Sequence, residues 1–154
     1  FTFEGKKRVY EPTIFTPIIN KIEQMSGAKY GADEETSRAI RIISDHIRTA
    51  TFIIGDERGI SPSNVGAGYV LRRLIRRSVR FGKKLGINKA FLSEIAQVVI
   101  DMMSQFYPEL VQNKQRIFDE LSGEEAKFEA HNNYIDIQFI FHSIAVSFSL
   151  RIHP

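Results

Sequence analysis

Apolar residues recur every three or four positions along most of the chain, the spacing of one face of an α-helix. The stretch GDERGISPSNVGAG, residues 55–68, interrupts this pattern with four glycines, a proline and serines, and predicts a structured loop between helices. We therefore expect a mainly α, bundle-like fold. The predicted helices cover residues 13–26, 32–54, 70–84, 91–106 and 109–128.

The pattern changes after Phe128. In YIDIQFIFHSIAVSFSLRI the apolar residues alternate, and the parity switches near His142 and Ser143. Alternation predicts strands, so we expect the tail, 129–154, to be β-prone or poorly ordered. FEAHNNYIDIQ is similar to a short segment of a cupin-like β-barrel family in which a glutamate and a histidine, here Glu129 and His131, bind a metal. A solvated connector is the favoured interpretation, and we expect no metal site.

The run VLRRLIRRSVRFGKK, residues 70–84, concentrates positive charge. It holds seven basic residues and no acidic one, whereas the whole chain carries only +3, so the remaining residues sum to −4. At about 100° per residue, the basic side chains fall within an arc of about 140°, and the apolar residues fill the other side. The predicted cationic ridge consists of Arg72, Arg73, Arg76, Arg77, Arg80, Lys83 and Lys84.

The cationic ridge predicts a polyanionic partner. Basic side chains four positions apart repel each other, and no acid on the same helix relieves that repulsion. Acids from elsewhere in the fold could neutralise the ridge instead, so internal salt bridges remain the alternative. Arginine outnumbers lysine by five to two in the run. Because its planar fork suits phosphate, nucleic acid is favoured over a membrane surface.

Composition narrows the class of protein. The 154 residues, 43% apolar and 25% charged, predict about one soluble globular domain. The sequence contains no cysteine, which excludes disulfides and thiolate metal sites within it. It also has no apolar run of membrane-spanning length and no signal-peptide pattern at its start. We therefore expect a cytoplasmic protein with no membrane contact.

Several motifs, taken in order, resemble the tRNA-recognition region of the alanyl-tRNA synthetase family. They are DHIR at 45–48, a GD loop, PSN at 62–64, GYVLRRLIRR at 68–77, FYPEL and EEAKF. Their order and spacing are similar to those of the family. The resemblance covers residues 10–128, and it leaves 1–9 as an unmatched segment and 129–154 as a divergent tail.

The resemblance implies a role in holding RNA. In this family the helical region binds the acceptor stem of tRNA-Ala and reads a G·U wobble pair, with an asparagine of the PSN loop taking part. Asn64 is the matching residue. An amide offers both a donor and an acceptor to a base edge. A helix cap or turn residue is the alternative for Asn64. The arginines would contact phosphates, although some could brace a neighbouring catalytic domain.

The DHIR motif has a structural interpretation. In the family it is not the activation site, so we expect Asp45 and His46 to form a hydrogen-bonded pair that fixes the helix to the loop, with Arg48 in the same motif. A metal role for His46 is disfavoured, because no second histidine stands at a ligand spacing.

Catalysis is not expected of this chain by itself. Nothing in it resembles the class II motifs with which the family binds ATP and Mg²⁺ and activates alanine. The acidic residue that assists G·U reading in the family would lie further downstream. The alternative function is structural, as a remnant that forms a homo-oligomer or docks to the class II catalytic domain of the same or another chain.

Overall fold

The computed structural model describes residues 14–149, with side-chain positions through residue 131. The expected segment 1–9 and the last residues of the tail lie outside this range. The fold is mainly α, as predicted, and no strand occurs among the described residues. The helices in chain order are α1 (Thr16–Ser26), α2 (Glu34–Gly55), α3 (Gly66–Lys84), α4 (Leu92–Met103), α5 (Glu109–Gln112) and α6 (Lys114–Ser149).

Local sequence signals set several helix ends. Gly27 has φ +73° and donates its backbone N–H to Glu23 O at 2.8 Å, which ends α1 in the left-handed conformation that glycine favours. Asp33 caps α2, because its Oδ1 accepts from the backbone N–H of Thr36 at 2.7 Å. This hydrogen bond lowers the pKa of the Asp33 carboxyl. The first three predicted helices thus form close to their expected positions.

Isoleucine and leucine side chains from all six described helices form one core. Helix α2 lies at its centre and contacts α1, α3, α4, α5 and α6. Phe91, the residue just before α4, packs closely on α3, because a Cβ added at Gly82 would come within 2.3 Å of its ring. Fully buried members of the core include Ile18, Ile22, Ile40, Ile43, Ile47, Leu71, Ile75, Leu92, Ile95, Ile117 and Leu121.

Helix α6 completes the start of α4 through a buried carboxylate. Glu125, only 1% exposed, accepts from the backbone N–H groups of Phe91 at 3.1 Å and Leu92 at 3.4 Å. These are N–H groups that a helix start leaves without intrahelical partners. Burial raises the pKa of Glu125 to about 7, although the two backbone hydrogen bonds oppose the shift.

Two sequence predictions about the C-terminal part were wrong. The helix expected over 109–128 is divided at Asn113, whose Nδ2 donates to Gly55 O at 3.0 Å, into α5 and α6. The tail, expected to be β-prone or poorly ordered, is helical through Ser149, where the described residues end. No proline or glycine follows Gly123 before that residue, so an established helix can propagate. Apolar alternation also contains i, i+4 repeats, which a helix accommodates.

Candidate nucleic-acid interface

The basic side of α3 is divided into two rows. One face of α3 is buried through Leu71, Ile75 and Val79. Around the rest of the helix, three basic residues lie within about 40° of Arg72, counting Arg72 itself, and are partly buried. The other four lie about 80–140° from Arg72 around the helix and are exposed. We call Arg72, Arg76 and Lys83 the inner row, and Arg73, Arg77, Arg80 and Lys84 the outer row.

The inner row is paired with acids of α6. Glu124 is buried, with 4% of its side chain exposed, and its Oε1 accepts from Arg72 Nε at 2.9 Å. The Nε of Arg76 lies 2.7 Å from the same oxygen, although its N–H is not aligned for a hydrogen bond. Lys83 Nζ lies 3.5 Å from Glu129 Oε1. For the inner row the structure shows the alternative of internal salt bridges, because α6 supplies its counter-charges.

The three arginines of the outer row keep their charge available. Arg73, Arg77 and Arg80 are exposed, and none of them forms an ion pair with a residue of the described part of the chain. The Cζ atom of Arg73 lies 5.8 Å from the centroid of the Tyr69 ring, and the Cζ atom of Arg77 lies 5.8 Å from the centroid of the Phe81 ring. These contacts orient the guanidinium groups without neutralising them. The row therefore suits an anion.

One end of α3 carries apolar exposure that the pattern did not predict. Val70 was placed on the core side, but it is 55% exposed, next to the half-exposed Tyr69. Val65, just before the helix, is 75% exposed. The outer row therefore begins beside apolar and aromatic side chains, the kind of surface on which bases can stack.

The loop before α3, residues 56–65, places Asn64 at the same end of the helix. Asn64 is exposed, and its Oδ1 accepts a hydrogen bond from Arg72 Nη1. It does not cap the helix, since Val65 occupies the cap position. Gly68 lets the loop approach, because a Cβ there would come within 2.3 Å of Ser63 Oγ. The structure thus brings Asn64 and the arginines together.

The DHIR motif packs between helices. Asp45 and His46 side chains form no hydrogen bond with each other among the described residues, because consecutive helical residues point in different directions. Burial lowers the pKa of His46, with Asp45 opposing and Arg77 reinforcing the shift. The Arg48 guanidinium lies 5.3 Å from the Phe52 ring centroid and 5.8 Å from that of Phe15. The motif thus braces α2 through Arg48.

Sequence reasoning missed the α6 residues that support this surface. Arg116, Glu120 and Glu124 recur every four positions and therefore lie on one helical face. Arg116 donates to Ile54 O at 2.6 Å, and Ser61 Oγ donates to Glu120 at 2.5 Å. The four-residue spacing of charged residues was the available signal, but it did not reveal which segment they face.

Within the described residues, no three His, Asp or Glu side chains are placed to hold a metal ion. Glu129 instead contacts Lys83. No described helix is long and apolar enough to cross a membrane.

Comparison with known proteins gives the family. Residues 2–131 match the family model described as tRNA synthetases class II (A), a range wider at both ends than the resemblance over 10–128. The chain belongs to this synthetase family. It is 53% identical over 125 residues to the alanine–tRNA ligase of Treponema pallidum (strain Nichols), a match that covers 81% of this chain and 21% of that protein.

Other alanine–tRNA ligases show the same partial coverage. The ligase of Borreliella afzelii (strain PKo) is 53% identical over 125 residues, again 81% of this chain and 21% of the ligase. The ligase of Dehalococcoides mccartyi (strain BAV1) is 48% identical over 125 residues, or 81% of this chain and 14% of that ligase. This chain thus spans about a fifth or less of the length of these ligases.

Proposed function

We propose that this chain is the part of an alanyl-tRNA synthetase that binds the acceptor stem of tRNA-Ala. The observation that carries the proposal is the outer row, in which three exposed arginines lie along one helix without counter-charges among the described residues. From Arg73 to Lys84 the row spans about 16 Å along the axis. A duplex backbone presents several phosphates over such a length.

The two parts of the surface have different roles in this proposal. The outer row contacts phosphates and so sets affinity and orientation without reading sequence. Asn64, at the end of the row, supplies the side-chain amide that contacts a base pair. Attachment of alanine, with its ATP and Mg²⁺, belongs to the catalytic part of the enzyme, and we expect no aminoacylation by this chain alone.

The proposal is tested by binding at several salt concentrations. Fluorescence anisotropy would compare a labelled hairpin of the tRNA-Ala acceptor stem with an unrelated RNA duplex of equal length. We expect tighter binding of the acceptor stem, and affinity that falls as salt rises. Arg77→Glu should weaken binding more than Arg38→Glu, a control with the same charge change at an exposed arginine of α2. Identical binding of both RNAs at every salt concentration would contradict the proposal.

A second candidate function is docking to another protein surface. Phe106, before α5, and Val111, within α5, are 72% and 52% exposed, and such apolar exposure favours a protein partner. Light scattering of the chain without RNA checks this function. A stable dimer whose formation depends on Phe106 would favour docking, whereas a monomer that binds the acceptor stem would favour the RNA function.

A further inference from the structure

Polar residues of α6, with Asn113 just before it, hold the segment that carries Asn64. Arg116, Glu120 and Glu124 recur every four positions and share one face of α6. The partners of these residues and of Asn113 lie at the end of α2, in the loop and at the start of α3. These partners are the backbone oxygens of Gly55 and Ile54 and the side chains of Ser61 and Arg72.

Arg72 links these residues of α6 to Asn64. Its Nε donates to the buried Glu124 at 2.9 Å, and its Nη1 donates to Asn64 Oδ1. A guanidinium is planar and its N–H donors point in fixed directions, so a fixed Nε–H also fixes the direction of the Nη1–H. Arg76 Nε lies 2.7 Å from the same Glu124 oxygen and adds a second positive charge beside the carboxylate.

The link determines which atoms of Asn64 face outward. Arginine can only donate hydrogen bonds, so the amide atom beside Arg72 is the oxygen. The Nδ2 group, with its two donors, is therefore directed away from Arg72. Because Asn64 is exposed, these donors are available to a ligand.

We propose that Glu124, acting through Arg72, is a positioning residue that fixes the Asn64 amide so that its N–H donors meet a hydrogen-bond acceptor of the bound RNA. This inference rests on the proposed function and deepens it. Arg72 then contributes to selectivity through orientation, whereas Arg73, its neighbour in the outer row, contributes to affinity through charge.

The charge-conserving variant Arg72→Lys separates these roles. A lysine keeps the positive charge, but its single ammonium cannot reproduce the rigid fork between Glu124 and Asn64. Binding is measured for two acceptor-stem hairpins that differ only in one base pair, G·U or G–C. We expect Asn64→Ala and Arg72→Lys each to reduce the preference for G·U by about fivefold, with unchanged affinity for the G–C hairpin. The matched control, Arg73→Lys, should keep the preference.

The outcomes distinguish the two proposals. If the unsubstituted chain binds both hairpins and an unrelated duplex equally, the proposed function fails and this inference fails with it. If Asn64→Ala loses the preference but Arg72→Lys keeps it, the positioning role is overturned and the proposed function stands. If Arg72→Lys weakens both hairpins equally, Arg72 acts as a phosphate or folding residue, and the inference is again overturned.

A measurement without RNA tests the link independently. The side-chain amide of Asn64 should have a high NMR order parameter in the free chain, because Arg72 fixes it. Arg72→Lys and Glu124→Gln should both lower this order parameter, while the side-chain amide of Asn20, exposed on α1, should be unchanged. Thermal unfolding confirms that each variant is folded. Equal order of the Asn64 amide in all three proteins would overturn the inference.

Discussion

The two basic rows of α3 are built from the same residue types within one run, yet their surroundings differ. The inner row is partly buried and paired with acids of α6, whereas the arginines of the outer row are exposed and have no ion pair within the described residues. A guanidinium beside a buried carboxylate stabilises the fold, and an unpaired one on the surface is available to a ligand. The difference teaches that position around the helix, rather than charge density along the chain, separates structural from binding residues.

Charge reversal in each row gives the largest expected contrast. Arg76→Glu would place a second carboxylate against the buried Glu124, so we expect the free energy of unfolding to fall by about 3 kcal/mol. Arg77→Glu, on the exposed side, should change it by less than about 0.5 kcal/mol. Urea denaturation of both variants checks the contrast. Equal losses of stability would contradict the division into two rows.

The residue of α6 that meets the start of α4, Glu125, also predicts a pH effect. Burial raises the pKa of Glu125 to about 7, above the ordinary 4.5 of the unfolded chain. The folded state thus favours the protonated carboxyl, and its stabilising effect is full below pH 4.5 and is lost as pH rises to about 7. Glu125→Gln should remove this dependence. Relative to the parent, the variant should gain on the order of 3 kcal/mol between pH 4 and 8.

Denaturation at a series of pH values measures this difference. The change to glutamine keeps an oxygen that can accept from the N–H of Phe91 or Leu92, so α4 should still form. Asp119→Asn, at an exposed position of the same helix, is the control and should show no such trend. Parallel pH profiles for Glu125→Gln and the parent would show that Glu125 is ionised in the folded protein as readily as in the unfolded chain.

Apolar spacing predicted most of the fold, but it did not predict that the basic residues of α3 form two rows. Periodicity placed α1 to α4 because each buries a face that its own sequence defines. The pairing of Arg72 and Arg76 depends on Glu124, which lies 52 and 48 residues further along the chain, and local pattern carries no information on which face of α6 meets α3. The sequence therefore predicted that Asn64 and the exposed arginines belong to one surface. It did not predict that these arginines are separated from the partly buried arginines of the inner row.

Neutralising one outer-row arginine should affect binding more than stability. Arg77→Gln removes a phosphate contact and should weaken acceptor-stem binding about tenfold, with the slope of log K against log salt reduced by about 1. Stability should rise slightly, because repulsion from Arg73, four positions away, is relieved. Anisotropy at several salt concentrations and urea denaturation measure the two effects. A large loss of stability with an unchanged salt slope would place Arg77 with the inner row.

The smallest expected effect compares two adjacent lysines. Lys83, in the inner row, has its Nζ 3.5 Å from Oε1 of Glu129. Lys84, in the outer row, has its Nζ 3.2 Å from Oε1 of Glu35, which is 79% exposed. Surface ion pairs contribute little, so Lys83→Gln and Lys84→Gln should each change the free energy of unfolding by less than about 0.5 kcal/mol. Only Lys84→Gln should lower the salt slope of RNA binding, because Lys84 alone is directed with the outer arginines. If Lys83→Gln lowers the slope equally, the RNA contacts both rows, and the boundary between them lies nearer to α6 than the ion pairs indicate.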